Sequence, residues 1–299
     1  MSQVDFVGCH IPLVTPFKDD YSLDEEGLRR LVNHLIEEEG VDGMVPCGTT
    51  GESPTLSHKE HGRVIEITIK EVNGRVPVIA GTGSNSTQEA IDMTKHAEDM
   101  GADASLQVCP YYNRPTQGGL MRHFEAIAKN SKIPHFIYNI PSRTGRNVEP
   151  ETIIELSKID NIIGVKDAGG NLMQTMKILE GTKDNPQKFY VLSGEDALTY
   201  PMMCLGGDGA ISAVGNVLGK EYTEMCRLTK AGEYEKAREI HYRTFPLVRA
   251  LFIEPNPAPV KEALNMMGLP GGKLRLPLVG LKPANREKLK IALQDVGKL

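Results

Sequence analysis

Eight short apolar segments recur between Cys9 and Ala213, and stretches with helical periodicity separate them. An apolar run of four to eight residues bounded by turn-forming residues is typical of a buried parallel strand. The predicted strands are Cys9–Val14, Val41–Pro46, Pro77–Gly81, Ala104–Cys109, His135–Ile140, Ile162–Val165, Phe189–Leu192 and Gly209–Ala213. Eight β–α units in roughly 230 residues favour a parallel (β/α)8 TIM barrel.

The alternative architecture is a doubly wound sheet. Such a sheet usually has fewer strands and a glycine-rich turn after the first one. Here the first predicted strand runs into Thr15-Pro16-Phe17, which contains no glycine. The barrel is therefore the favoured fold class.

The strand pattern stops after about residue 229. Glu233–Leu251, Pro259–Met267 and Ala284–Val296 have helical patterns, and a Gly/Pro-rich segment occupies Gly268–Pro283. We predict a barrel domain over residues 1–228, which carries the active site, and a C-terminal helical domain over residues 229–299.

Three predicted helices begin with a capping-box pattern, in which a serine is followed three residues later by a glutamate. The three pairs are Ser22 with Glu25, Ser57 with Glu60, and Ser86 with Glu89.

Composition excludes several classes of function. The net charge of −5 provides no basic excess for nucleic-acid phosphates. No apolar run approaches the ~20 residues of a membrane span, and the N-terminal segment does not resemble a signal peptide. The five cysteines are odd in number, widely spaced and without a Cys-x-x-Cys motif. We therefore predict a cytoplasmic protein with reduced thiols and no metal site.

Lys166 ends the apolar run Ile162–Val165. Burial of an amine favours its neutral form, which is the form that attacks a carbonyl carbon. Alternatively, the side chain leaves the strand for solvent and pairs with Asp167.

Other reactive groups follow the predicted strands, where a barrel places its chemistry. Gly48-Thr49-Thr50-Gly51 is either a simple turn or a carboxylate-binding loop of N–H and hydroxyl donors. Tyr138 is either a packing aromatic or a proton relay. Arg143 is either a surface residue or the partner of a second carboxylate. Similarly placed are Tyr111, Tyr112, Gly194 and Ile211.

Three motifs resemble those of the pyruvate-dependent class I aldolases, a family that includes dihydrodipicolinate synthase and N-acetylneuraminate lyase. They are Gly48-Thr49-Thr50-Gly51-Glu52, Val165-Lys166, and the segment from Tyr138 to Gly145. The resemblance implies that Lys166 forms a Schiff base with pyruvate, Tyr138 relays protons, and Thr49 and Thr50 bind the pyruvate carboxylate. It also implies Gly194 and Ile211 at the substrate site, and no cofactor.

Within the family, Arg143 and Tyr111-Tyr112-Asn113-Arg114-Pro115 are similar to members that condense pyruvate with L-aspartate 4-semialdehyde in lysine biosynthesis through diaminopimelate. Arg143 would hold the semialdehyde carboxylate. Tyr112 would enter a neighbouring subunit's relay with Tyr138 and Thr50, which implies a homo-oligomer, a tetramer by resemblance. The alternatives are an N-acetylneuraminate lyase or 2-keto-3-deoxy sugar acid aldolase, and a catalytically silent binding protein.

The resemblance further implies lysine as a feedback inhibitor bound apart from Lys166. The corresponding residues are Ser53, Pro54, His58, His61, Asn85, Glu89 and Tyr111. Alternatively, Glu89 serves only in the Ser86 cap, and the two histidines only open an exposed helix.

Overall fold

Eight parallel strands form a barrel in the computed structural model, which describes residues 4–299. The strands are β1 (Gly8–Pro12), β2 (Gly43–Val45), β3 (Ile79–Gly81), β4 (Ala104–Val108), β5 (His135–Asn139), β6 (Ile162–Asp167), β7 (Tyr190–Ser193) and β8 (Gly209–Ile211). All eight predicted strands are confirmed, with ends that differ by at most two residues.

The sheet runs in the order β2-β1-β8-β7-β6-β5-β4-β3, and β1 pairs with both β2 and β8. Its remaining seam, between β2 and β3, is narrow. A parallel bridge joins Met44 to Val78, and the N–H of Gly81 donates to the carbonyl of Pro46 at 2.9 Å. These contacts nearly close the barrel, so the (β/α)8 prediction is confirmed and the doubly wound alternative is wrong.

Helices follow the strands around the barrel. They are α1 (Glu25–Glu37), α2 (His58–Val72), α3 (Thr87–Asp99), α4 (Gln117–Lys129), α5 (Pro141–Thr144), α6 (Pro150–Leu156), α7 (Leu172–Thr182), α8 (Thr199–Cys204) and α9 (Gly215–Lys230). Their apolar faces pack on the outside of the sheet, while Phe136, Tyr138, Leu192 and Ile211 belong to a separate buried cluster. None of the helices in residues 4–299 has the length and apolarity needed to cross a membrane.

The predicted cap at Ser22 is wrong. Helix α1 begins at Glu25 with Asp24 as its N-cap, whose carboxylate accepts from the N–H of Gly27 at 3.0 Å. Ser22 instead donates to the carboxylate of Asp20. A carboxylate one residue before the helix satisfies a free N–H as a serine would, so local pattern alone did not separate the two.

The Ser57 capping box of α2 is confirmed, with both reciprocal hydrogen bonds present. The Ser86 box is only half formed. The Ser86 hydroxyl accepts from the N–H of Glu89, but the Glu89 carboxylate contacts Ser84 and His58 instead of the cap.

Three helices complete the chain as predicted, namely α10 (Tyr234–Ala250), α11 (Ala258–Met266) and α12 (Pro283–Asp295). The predicted domain boundary at residue 228 falls inside the last turn of α9, and the division into two domains stays a prediction. Between α11 and α12, the chain lies against the loops that follow β1. There Lys273 N donates to the carbonyl of Phe17 at 3.0 Å, and Arg275 Nη2 to that of Tyr21 at 2.7 Å.

Candidate active site

Lys166 lies in β6 and is 5% exposed. In the parallel register its neighbour on β5 is Tyr138, and Lys166 Nζ lies 4.1 Å from the centre of the Tyr138 ring. Asp167 does not pair with the amine, because its carboxylate accepts from Thr175 Oγ1 at 2.8 Å and from Gly169 N at 3.0 Å. The alternative of a solvent-directed, Asp167-paired lysine is therefore wrong.

Gly194 gives the lysine side chain its space. A Cβ atom at this position would lie 2.9 Å from both Cγ and Cε of Lys166, closer than real Cβ contacts come. Ile211 is buried in the same interior cluster as Tyr138. Gly194 thus leaves room for the Lys166 side chain because it has no side chain of its own, and Ile211 is part of the apolar surroundings of the site.

A buried carboxyl group lies near this amine. Asp196 follows β7 and accepts a short hydrogen bond from the Ser212 hydroxyl. Burial raises the pKa of Asp196 to about 7, against the opposing effects of that hydrogen bond and of the Lys166 charge. Asp196 was not among the predicted site residues, although it directly follows Ser193-Gly194-Glu195.

The Gly48–Gly51 loop leaves β2 with left-handed backbone at both flanks, Cys47 (φ 58°) and Glu52 (φ 54°). At Gly51 a Cβ atom would lie 3.0 Å from the carbonyl oxygen of Leu13, so the close approach of two backbones favours glycine. The hydroxyl of Thr15, after β1, donates to the Gly51 carbonyl at 2.7 Å. The loop is therefore held by the neighbouring strand.

Asn256 connects two of the predicted site residues. Its Nδ2 donates to the hydroxyl of Thr50 at 3.0 Å, and its backbone carbonyl accepts from Arg143 Nη2 at 3.2 Å. Asn256 is buried and lies just before α11. Asn256 was not among the predicted site residues, because its only local signal is a polar residue in the proline-rich run Pro255–Pro259.

A cavity of about 240 Å³ opens beside these groups. Its lining combines predicted substrate residues with predicted effector residues. These include Thr49, Ser53, Pro54, Tyr111, Tyr138 and Arg143. In the structure of residues 4–299, Lys166, Thr50, Gly194 and Ile211 lie outside this lining, and Lys166 reaches the cavity wall through its contact with Tyr138.

Tyr112 stands apart from that group. It is 90% exposed and has a left-handed backbone, with φ 71°. Its neighbour Tyr111 lines the cavity instead. Within one chain, the structure therefore does not bring Tyr112 together with Tyr138 and Thr50.

The other predicted effector residues lie where α2 and α3 begin. His58 Nε2 contacts the Glu89 carboxylate at 2.7 Å, and Asn85 Nδ2 donates to the Tyr111 carbonyl at 3.2 Å. The Ser84 hydrogen bond, followed by His58, lowers the pKa of Glu89. Burial lowers the pKa of His61 to about 4, which leaves that ring neutral at pH 7. The site thus contains one clear anion, Glu89.

A buried ion pair was also missed. Lys261 of α11 binds Glu52 at 2.6 Å, and both side chains are at most 1% exposed. Glu52 was noted only as part of the glycine-threonine motif, and Lys261 sits beside the apolar stripe Val260, Ala263 and Leu264. The one sequence feature that could have indicated a buried Lys261 is its position beside this apolar stripe.

The fold and site define a (β/α)8 barrel with a buried amine at the end of its sixth strand, an arrangement suited to Schiff-base chemistry. The model of the Dihydrodipicolinate synthetase family matches residues 5–296. The chain belongs to this family, as the motifs predicted.

Its similarity to individual members extends over nearly the whole length of both chains. A 4-hydroxy-tetrahydrodipicolinate synthase from Syntrophobacter fumaroxidans is 52% identical over 293 residues, which cover 98% of this chain and 99% of the relative. A solved dihydrodipicolinate synthase from Acinetobacter baumannii, complexed with pyruvate, has a TM-score of 0.95 and 42% identity, covering 99% of this chain and 100% of that one. One from Cyanidioschyzon merolae with lysine bound has a TM-score of 0.94 and 40% identity, covering 98% and 99%.

Proposed function

We propose that this chain is an aldolase-type lyase that condenses pyruvate with L-aspartate 4-semialdehyde to give 4-hydroxy-tetrahydrodipicolinate, in lysine biosynthesis through diaminopimelate. The observation that carries the proposal is the buried Lys166 amine against Tyr138 in a chain whose full-length relatives are such synthases. Those relatives favour the synthase over the lyase and sugar-acid aldolase alternatives.

The chemistry begins when the Lys166 amine attacks the ketone carbon of pyruvate and one water leaves. Tyr138 relays the proton that leaves the pyruvate methyl group, and the imine becomes an enamine. The enamine carbon then attacks the aldehyde of the second substrate. Finally the semialdehyde's own amine attacks the imine carbon, closes the ring and releases Lys166. The protonated imine accepts the electron pair, so a metal or organic cofactor has no step to perform.

Each substrate carries a carboxylate, and the site offers two places for one. Thr49 and Thr50, with the N–H groups of their loop, would take the pyruvate carboxylate. Arg143 would take that of the semialdehyde, since a guanidinium binds a carboxylate through two parallel hydrogen bonds. Asn256 links the two places through Thr50 and Arg143, which supports their use together.

We further propose that the working form is a homo-oligomer, a tetramer, in the cytoplasm. The exposure of Tyr112 in the single chain supports a role across an interface. There its hydroxyl would complete the relay with Tyr138 and Thr50 of a neighbouring subunit. Mixing inactive Tyr112→Phe and Lys166→Ala subunits should restore some activity through hybrid sites. A fully active monomer in sedimentation would contradict the proposal.

Lysine is proposed as an inhibitor, at the group formed by Ser53, Pro54, His58, His61, Asn85, Glu89 and Tyr111. The lysine-bound structure of the Cyanidioschyzon merolae relative supports this. Glu89 supplies an anion for a ligand ammonium group, and Tyr111 adjoins Tyr112 of the relay. Binding at one tyrosine would shift the other through their shared loop.

The decisive experiment is a coupled assay with pyruvate and L-aspartate 4-semialdehyde, run beside N-acetylneuraminate and 2-keto-3-deoxy sugar acids. We expect turnover only with the semialdehyde. Separately, pyruvate with borohydride should add one reduced pyruvyl group to the peptide that contains Lys166. Cleavage of sugar acids would favour the lyase alternative, and absence of any adduct would indicate a silent binding protein.

A further inference from the structure

The segment after α10 reaches the loops that surround the proposed pyruvate site. Lys261 Nζ donates to the carbonyl of Thr15 at 3.0 Å and to that of Lys273, in addition to its 2.6 Å contact with Glu52. The other Glu52 oxygen accepts from the N–H of Arg275 at 3.1 Å. Every hydrogen-bonding position of the Lys261 ammonium group is therefore used.

The position of Glu52 connects this network to the carboxylate-binding loop. Glu52 directly follows Gly51, and its own N–H donates to the carbonyl of Thr49 at 3.1 Å. Thr15 belongs to both sets of contacts, because its hydroxyl holds Gly51 and its carbonyl accepts from Lys261. Movement of Lys261 would therefore displace the Glu52 flank of the loop and the Thr15 residue that holds Gly51.

Charge gives the pair a second effect. A carboxylate buried beside a loop that receives an anionic substrate would repel that substrate, since burial weakens the screening of charge. Lys261 neutralises Glu52 at close range and within a fully buried environment. The pair thus removes a repulsion that the fold itself has introduced.

We propose that Lys261 is a positioning residue for pyruvate: it neutralises the Glu52 carboxylate and fixes the Gly48–Gly51 loop in its carboxylate-binding conformation. This inference rests on the proposed function. A competing explanation is that the ion pair only attaches the C-terminal helices to the barrel. The two explanations differ in how removal of each partner affects pyruvate.

The test compares Lys261→Met with Glu52→Gln. Both variants break the ion pair, but the first leaves a buried negative charge beside the loop and the second leaves a buried positive charge. We expect Lys261→Met to raise the pyruvate KM roughly 10- to 100-fold, as when residues that support binding groups are removed. Glu52→Gln should leave that KM unchanged or lower it. The semialdehyde KM should change little in either variant.

A matched control is Lys298→Met. Lys298 is a largely buried lysine at the opposite end of the C-terminal segment, where it pairs with Glu39 and Glu221. Its removal disturbs the attachment of the same segment without touching the loop, so the pyruvate KM should stay at the wild-type value. If Lys261→Met does not fold, Lys261→Met combined with Glu52→Gln removes both charges but still lacks the Lys261 hydrogen bonds. Its pyruvate KM should then rise by less than about tenfold, because the repulsion is gone and only the loop support is lost.

Pyruvate binding can also be measured without the second substrate. The quantity measured is the pyruvate concentration at which borohydride traps half of the maximal adduct on Lys166. A raised pyruvate requirement in Lys261→Met, with an unchanged or lowered one in Glu52→Gln, supports the proposal. A rise in both variants, or no rise in folded Lys261→Met protein, overturns it. A wild-type protein that forms no adduct would instead refute the proposed function, so the two failures are distinguishable.

Discussion

Lys166 and Lys261 are both buried lysines, but their amines are in opposite environments. Lys261 holds Glu52 and two backbone carbonyls, whereas Lys166 Nζ makes no ion pair or hydrogen bond within residues 4–299 and lies against the Tyr138 ring. Lysine is rarely buried unless its charge is paired. The difference teaches that burial alone does not mark a reactive amine: burial without a partner does.

Removal of the reactive amine should have the largest effect. Lys166→Ala should reduce the condensation rate by roughly 10³-fold or more, because loss of a covalent catalytic group removes the whole route. Lys166→Arg should fail as well, since guanidinium stays protonated. Coupled assays and borohydride trapping measure both, with Lys158→Ala on the surface as a control. An adduct on another lysine would show that Lys166 is not the reactive amine.

Arg143 is an intermediate case, a cation whose guanidinium makes a single hydrogen bond within residues 4–299, to the Asn256 carbonyl. Arg143 is exposed in the single chain, and the bound semialdehyde would cover it. Arg143→Ala should therefore weaken use of the semialdehyde by about 2–5 kcal/mol, the cost typical of removing one partner of a desolvated charge pair. Imine formation with pyruvate should survive better. Arg146→Ala, in the segment that follows α5, is the control. Equal loss of both steps would mean that Arg143 only maintains the local structure.

Replacing each of the two lysines should change the free energy of unfolding in opposite directions. Lys261→Met leaves a buried Glu52 without its partner and should lower the free energy of unfolding by about 3–5 kcal/mol. Lys166→Met removes an unpaired amine and should raise it by about 0.5–2 kcal/mol, as active-site replacements can. Urea unfolding followed by circular dichroism measures both. Equal destabilisation would show that Lys166 has a structural role.

The smallest predicted effect concerns Glu89, an anion whose surroundings can be compared with those of Glu52. Glu52 is fully buried and paired with Lys261, whereas the side chain of Glu89 is 37% exposed beside His58. An added ammonium group can therefore reach Glu89. Glu89→Ala should weaken inhibition by lysine by about 1–3 kcal/mol. Initial rates at saturating pyruvate, titrated with lysine, measure this. Glu98→Ala on the same helix is the control, and unchanged inhibition in Glu89→Ala would reject the site.

The sequence by itself determined the strand and helix alternation and the position of Lys166. These depend on local periodicity and on which residue ends an apolar run. The motifs around Thr50, Tyr138 and Arg143 also stand in short segments, so they were found without a fold. A local ambiguity accounts for the error at Ser22, where either a serine or the nearby Asp24 could cap α1.

Only the tertiary structure decided which buried lysine is free and which is paired. Asn256 contacts Thr50 across 206 positions of the chain, and Lys261 contacts Glu52 across 209. Neither contact leaves a periodic signal, because each depends on where the C-terminal segment packs on the barrel. Whether a buried charge is paired depends on which residues surround it in space. Those neighbours are distant in the sequence, so local sequence patterns do not predict the pairing.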